Sequence, residues 1–116
     1  MKAYYAHSVY LYNTKQEERD LDLLRYLGFS IYNPNNEKDG EGYKNYGMNY
    51  FNSLIFNCDI LVFRALPDGR IPAGVYNEIL TAMKMGKTII ELPSNMLSRG
   101  MSVENTREFL KEVGNR

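Results

Sequence analysis

The run "DILVFRAL", residues 59–66, constrains the fold most, because an almost unbroken apolar stretch of this kind suits a central strand covered on both of its faces. Such a strand calls for helices above and below a parallel sheet, and the neighbouring segments supply them. "KAYYAH" (2–7) is short, apolar and β-prone and ends at the polar His7-Ser8, which makes it a first strand. "NTKQEERDLDLLRYLGF" (13–29) opens on a capping box, Thr14 with Glu17, and carries Leu21, Leu23, Leu24 and Leu27 at helical spacings before it closes at Gly28. "FSIYNPNN" (29–36) alternates Phe29 and Ile31 with polar residues and stops at Asn33-Pro34, a second strand. The polar, glycine-containing "NPNNEKDGEGYKNYG" (33–47) is expected to be a long loop, of the sort that serves as a lid or mobile segment. "MNYFNSLIFNC" (48–58) is a helix leading into the central strand. After the turn "PDGR", "IPAGVYNEILTAMKMGK" (71–87) is a helix and "KTIIELP" (87–93) a fourth strand. "SNMLSRG" (94–100) is a loop, and "SVENTREFLKEVG" (102–114) is a last helix with Ser102 as its cap.

Strands and helices therefore alternate, which calls for right-handed crossovers. The expected architecture is a three-layer α/β sandwich, Rossmann-like or flavodoxin-like, with a four- to five-stranded parallel sheet in the order 2-1-3-4. At 116 residues the chain is expected to form a single domain, 1–116. Fourteen basic residues balance fourteen acidic ones, so no overall field favours nucleic acid or an anionic membrane surface. The lone Cys58 excludes an internal disulfide, and no apolar run approaches the ~18 residues of a membrane span. A soluble, cytoplasmic protein is the expectation. No Walker-type or G-x-G-x-x-G motif occurs, which removes the main support for a nucleoside triphosphatase or a dinucleotide oxidoreductase. No cofactor is expected, and a metal site is not expected either, since His7 is the only histidine.

In this topology ligands bind outside the carboxyl ends of the strands where the strand order reverses, between the first and third. His7, Ser8 and Tyr10 follow the first strand, Arg64 and Asp68 follow the third, and the helix after them holds Glu78. That glutamate is out of pattern. At about 100° per residue it falls between Ala82 and Met85, close to the apolar face of Val75, Ile79, Ala82 and Met83. Either it lies at the edge of the stripe and reaches water, or it is partly desolvated beside the crevice. There, an ionised carboxylate near a helix N-terminus can act as a nucleophile or as the partner of a developing cation. Gly74, at the start of the helix, allows close approach of a ligand to backbone N–H groups. Arg64 is the only basic residue in the third strand's run: it either pairs with Glu78 or Asp68, or holds a substrate phosphate or carboxylate. Ser8 has no triad partners and reads as a hydrogen-bonder. Tyr4 and Tyr5 point to opposite faces of their strand, so at most one looks into the site.

These segments resemble the nucleoside 2-deoxyribosyltransferases and their relatives, the 2′-deoxynucleoside 5′-monophosphate N-glycosidases. "YYAHS" is similar to that family's opening strand, with Tyr4 at the motif tyrosine. "CDILVFRALPDGRIPAGVYNEILTAMKMGKTIIELP" is similar to its central block: an Asp-led apolar strand, a Pro-Asp turn and a Gly-x-x-x-Glu helix start, with Glu78 on the nucleophilic glutamate. "NMLSRG" looks like the loop that lends an asparagine, here Asn95, to a neighbouring subunit's site. The resemblance implies cleavage or transfer of the N-glycosidic bond of a (deoxy)ribonucleoside or its 5′-monophosphate. On that resemblance Glu78 would attack, Tyr4 would orient it, and Asn95 and Ser8 would hold the sugar or its 5′ substituent in a homodimer or larger homo-oligomer, while His7, Arg64, Asp68 and Gly74 are expected to border the substrate from their places at the crevice. A non-catalytic nucleotide-binding module on the same fold is the alternative. The chain departs from the family where Ile71-Pro72 replaces an aspartate before the helix glycine, where Phe51 replaces another, and where Ala73 replaces a phosphate-holding serine.

Overall fold

The computed structural model describes residues 1–93 and 99–115. Its four strands, β1 (Lys2–Ala6), β2 (Ser30–Tyr32), β3 (Ile60–Phe63) and β4 (Thr88–Glu91), form one sheet in the order β2-β1-β3-β4. All pairings are parallel, with Tyr4 opposite Tyr32 on one side and Leu61 on the other. The helices are α1 (Lys15–Tyr26), α2 (Glu37–Tyr46), α3 (Tyr50–Phe56), α4 (Ala73–Lys84) and α5 (Val103–Glu112). This is the Rossmann-like arrangement that the alternation of segments predicts.

The period-two alternation of strand side chains divides the core in two. Tyr4, Ala6, Leu61 and Phe63 face one way and pack with Ile55 of α3 and with Val75, Ile79 and Ala82 of α4. Ala3, Tyr5, Ile60 and Val62 face the other way, where Leu24 of α1 and Leu92 meet them. β3 is buried along its whole length, as its apolar run requires.

Two expected caps form. The Thr14 Oγ1 accepts from the Glu17 backbone N–H at 3.3 Å, and the Ser102 Oγ accepts from that of Asn105 at 3.0 Å. The return half of the capping box is absent at Thr14: the Glu17 carboxylate accepts instead from the Asn13 backbone N–H, one residue further out, at 3.1 Å.

The expected long loop at 33–47 is a correction, since most of it is α2. Gly40 and Gly42 each lower helix propensity by about 1 kcal/mol relative to alanine, which is why the segment reads as a loop. Tertiary contacts compensate. The Asn36 side chain caps the helix by accepting from the Asp39 N–H at 2.8 Å. Gly42 leaves room for the Tyr50 ring, whose nearest atom would lie 2.2 Å from a Cβ placed there. Gly47, at φ +69°, ends the helix in a conformation that side-chain-bearing residues rarely adopt.

Candidate active site

The segments that follow β1 and β3 meet α2 around a cavity of about 380 Å³, at the reversal of strand order. His7, Ser8, Val9 and Tyr12 contribute from the β1 side, Pro72, Gly74, Val75 and Glu78 from α4 and its cap position, and Asn36, Asp39 and Tyr43 from α2 and its cap. The wall is mostly apolar and aromatic, with a few polar groups, the usual make-up of a small-molecule site.

Glu78 is not an edge residue. It is 8% exposed and Tyr4 is fully buried beneath it. The Tyr4 hydroxyl donates to the Glu78 Oε2, which ties the second turn of α4 to the middle of β1. Burial pushes the Glu78 carboxyl from its ordinary 4.5 up to about 7, and the hydrogen bond from Tyr4 pulls it part of the way back. Burial and the adjacent carboxylate together drive the Tyr4 phenol far above its ordinary range, so it remains a donor.

His7 lines the cavity but is committed to the protein. Its Nδ1 lies 3.1 Å from the Tyr5 carbonyl oxygen and its Nε2 lies 2.6 Å from the Glu17 carboxylate. Both contacts are acceptors, so neither ring nitrogen is left for a ligand. The imidazole stacks on Tyr5, centroids 3.8 Å apart, and meets the Tyr12 ring at 4.9 Å. Burial raises the Glu17 carboxyl, but hydrogen bonds from His7, Asn13 and Asn35 outweigh it and hold that group below its usual range. Ser8 caps the short 3-10 turn Val9–Leu11, its Oγ accepting from the Tyr10 N–H at 3.1 Å, and borders the cavity. Gly74 lies in the first turn of α4 on the cavity wall, where Pro72 provides no side-chain cap.

Two expected site residues are placed elsewhere. Arg64 pairs with neither Glu78 nor Asp68. Its Nε and Nη2 donate to Asp20 at 3.0 and 2.6 Å, and its Nη1 donates to the Pro93 carbonyl at 2.5 Å. The reason is parity: Phe63 faces α4, so Arg64 turns to the α1 side. Tyr5 completes that cluster by donating to the same Asp20 carboxylate at 2.6 Å. Asp68 sits in an exposed turn and accepts from the backbone N–H and the Nε of Arg70 at 3.0 and 2.6 Å. These bonds hold its carboxyl below its ordinary range. It lies beside a second, more open hollow shared with Ser8, Tyr10 and Pro72. Asn95 lies outside the described residues.

The structure also brings forward residues that sequence reasoning passed over. Asp39, fully buried, accepts from Tyr32 at 2.8 and 2.9 Å, from Tyr50 at 2.8 Å and from the Asn36 amide at 2.6 Å. It fastens the α2 wall of the cavity to β2 and α3. Its signal in the sequence is the Asn36/Asp39 pair at Ncap and N3 spacing, hidden by the glycines that follow. Glu17 and Asp20 were legible as polar residues sharing a helical stripe with Leu24. Among the described residues, no group of three or more histidine, cysteine or carboxylate side chains could hold a metal ion, and no helix is long and apolar enough to cross a membrane.

Comparison with family models, curated proteins and solved structures finds no match to this chain.

Proposed function

We propose that this chain cleaves or transfers the N-glycosidic bond of a (deoxy)ribonucleoside or its 5′-monophosphate, with Glu78 as the nucleophile. The observation that carries the reading is the buried Tyr4–Glu78 pair on the wall of a mainly apolar, aromatic-lined cavity. Tyr4 engages one carboxylate oxygen and aims the carboxyl. Attack of the free oxygen on the anomeric carbon would form a glycosyl ester as the carbon–nitrogen bond breaks, and water or a second base would resolve the ester at the same carbon. Two displacements give net retention. A carboxyl raised to about 7 still has its ionised form within reach near neutrality, and the desolvation that raises it also leaves the anion poorly solvated and reactive.

The alternative, a non-catalytic nucleotide-binding module, would be favoured by an ion pair between Glu78 and Arg64. Arg64 is bound to Asp20 instead, which supports the enzymatic reading. The same reading has Asn95 reaching the site of a neighbouring copy in a homodimer or larger homo-oligomer, with the protein working in the cytoplasm, where its lone Cys58 stays reduced.

The test is incubation with a panel of deoxyribonucleosides and their 5′-monophosphates, with and without an acceptor base, followed by chromatography of the released or exchanged base. Base release by the wild type that disappears in Glu78→Gln supports the proposal. Saturable binding without turnover would replace it with the binding module. A 2-fluoro sugar analogue that adds its glycosyl mass to the intact wild-type protein, and not to Glu78→Gln, would identify the covalent step.

A further inference from the structure

When a glycosidic bond breaks, the departing base takes the bonding electron pair and needs a hydrogen-bond donor to stabilise it. Most polar groups around the cavity are already engaged. His7 has both nitrogens on acceptors, and the Asn36 amide donates to the Asn33 carbonyl at 2.9 Å and to Asp39 at 2.6 Å. The Tyr4 hydroxyl is spent on Glu78, and the Asp39 oxygens receive three side chains. Tyr43 stands half exposed at the rim.

Tyr12 differs from all of these. It lines the cavity, its ring is held against the His7 imidazole, and among the described residues its hydroxyl makes no hydrogen bond. We infer that the Tyr12 hydroxyl is the donor that stabilises the leaving base, an assignment that rests on the N-glycosidic reading above. Burial, with the Glu78, Glu17 and Asp39 carboxylates nearby, pushes its phenol up to about 12, so it keeps its proton and donates a hydrogen bond without losing it. The balance is simple. The bond from Glu78 to the anomeric carbon forms, the carbon–nitrogen bond breaks with its electron pair going to the base, and the base, held by the Tyr12 O–H, takes its proton from water.

A leaving-group comparison tests this. Tyr12→Phe keeps the ring against His7 and removes only the hydroxyl. Base release from a natural deoxyribonucleoside should fall on the order of 100-fold, as for loss of one charge-stabilising donor. Release of 4-nitrophenolate from 4-nitrophenyl 2-deoxyriboside, which departs with little help, should fall less than about threefold by the same reasoning. Equal losses on the two donors, or no loss on either, would overturn the assignment while leaving the role of Glu78 intact. Failure of the wild type to cleave either donor would overturn both readings. If Tyr12→Phe does not fold, 3-fluorotyrosine at position 12 keeps the hydroxyl and lowers its pKa. The alkaline fall in base release should then move to lower pH for the natural substrate alone, and an unmoved limb refutes the role.

Discussion

Replacing Glu78 by glutamine should stabilise the protein in alkaline solution and do almost nothing in acid. The carboxyl is displaced by burial from an ordinary 4.5 to about 7, the hydrogen bond from Tyr4 recovering only part of the change. Between those two pH values the native state holds a proton that the unfolded chain has released, so stability falls as pH rises through this window. At ~1.4 kcal/mol per tenfold change in proton affinity, the full displacement is worth about 3 kcal/mol. Below the window both states are protonated and the term vanishes. Above it both are ionised, and the folded protein bears the whole cost of a desolvated anion. Glutamine keeps the shape and can still accept from the Tyr4 hydroxyl through its Oε1, but carries no charge. Urea unfolding of wild type and variant at about pH 4 and about pH 8 measures the term directly, because other groups, including Glu17 with its opposite direction, cancel in the difference between the two proteins. At ~1.5 kcal/mol per molar urea, the gain near pH 8 amounts to a midpoint about 2 M higher. A stability difference that is the same at both pH values would refute the claim that Glu78 is desolvated in the fold, and with it the physical basis for its reactivity.

Further outcomes follow from neighbouring contacts. Tyr4→Phe removes the hydrogen bond that lowers the Glu78 carboxyl, so the acid limb of the pH–rate profile should move above pH ~7 and kcat should fall; an unmoved limb would show that the hydrogen bond does not tune the glutamate. Arg64→Met strands the buried Asp20 and should cost about 3–5 kcal/mol in urea unfolding, with KM unchanged wherever the variant stays folded, since Arg64 faces α1. A raised KM with undiminished stability would return Arg64 to the site. Gly42→Ala must displace the Tyr50 ring and its bond to Asp39, a loss of about 1–3 kcal/mol measurable by thermal melting. A neutral result would mean that α2 is not held through Tyr50.

What the amino-acid order determines by itself is the layered framework. The apolar run of β3, the alternation around Phe29 and Ile31, and the Thr14 and Ser102 caps are local signals set by backbone geometry and side-chain period, so the strands and every helix but α2 follow from them. Glu78 was legible for the same reason: a carboxylate near an apolar helical stripe is an anomaly visible in spacing alone. The tertiary structure decided what each polar group meets. Parity turns Arg64 away from Phe63's face, but only the packing of α1 over that face brings Asp20 within 2.6 Å of it. The α2 segment reads as a loop because its glycines weaken a helix locally, and it becomes helical because Gly42 admits Tyr50 and Asp39 gathers Tyr32 from β2 and Tyr50 from α3. Partner choice across the sheet depends on contacts between residues far apart in the chain. The period of any one segment carries no record of them.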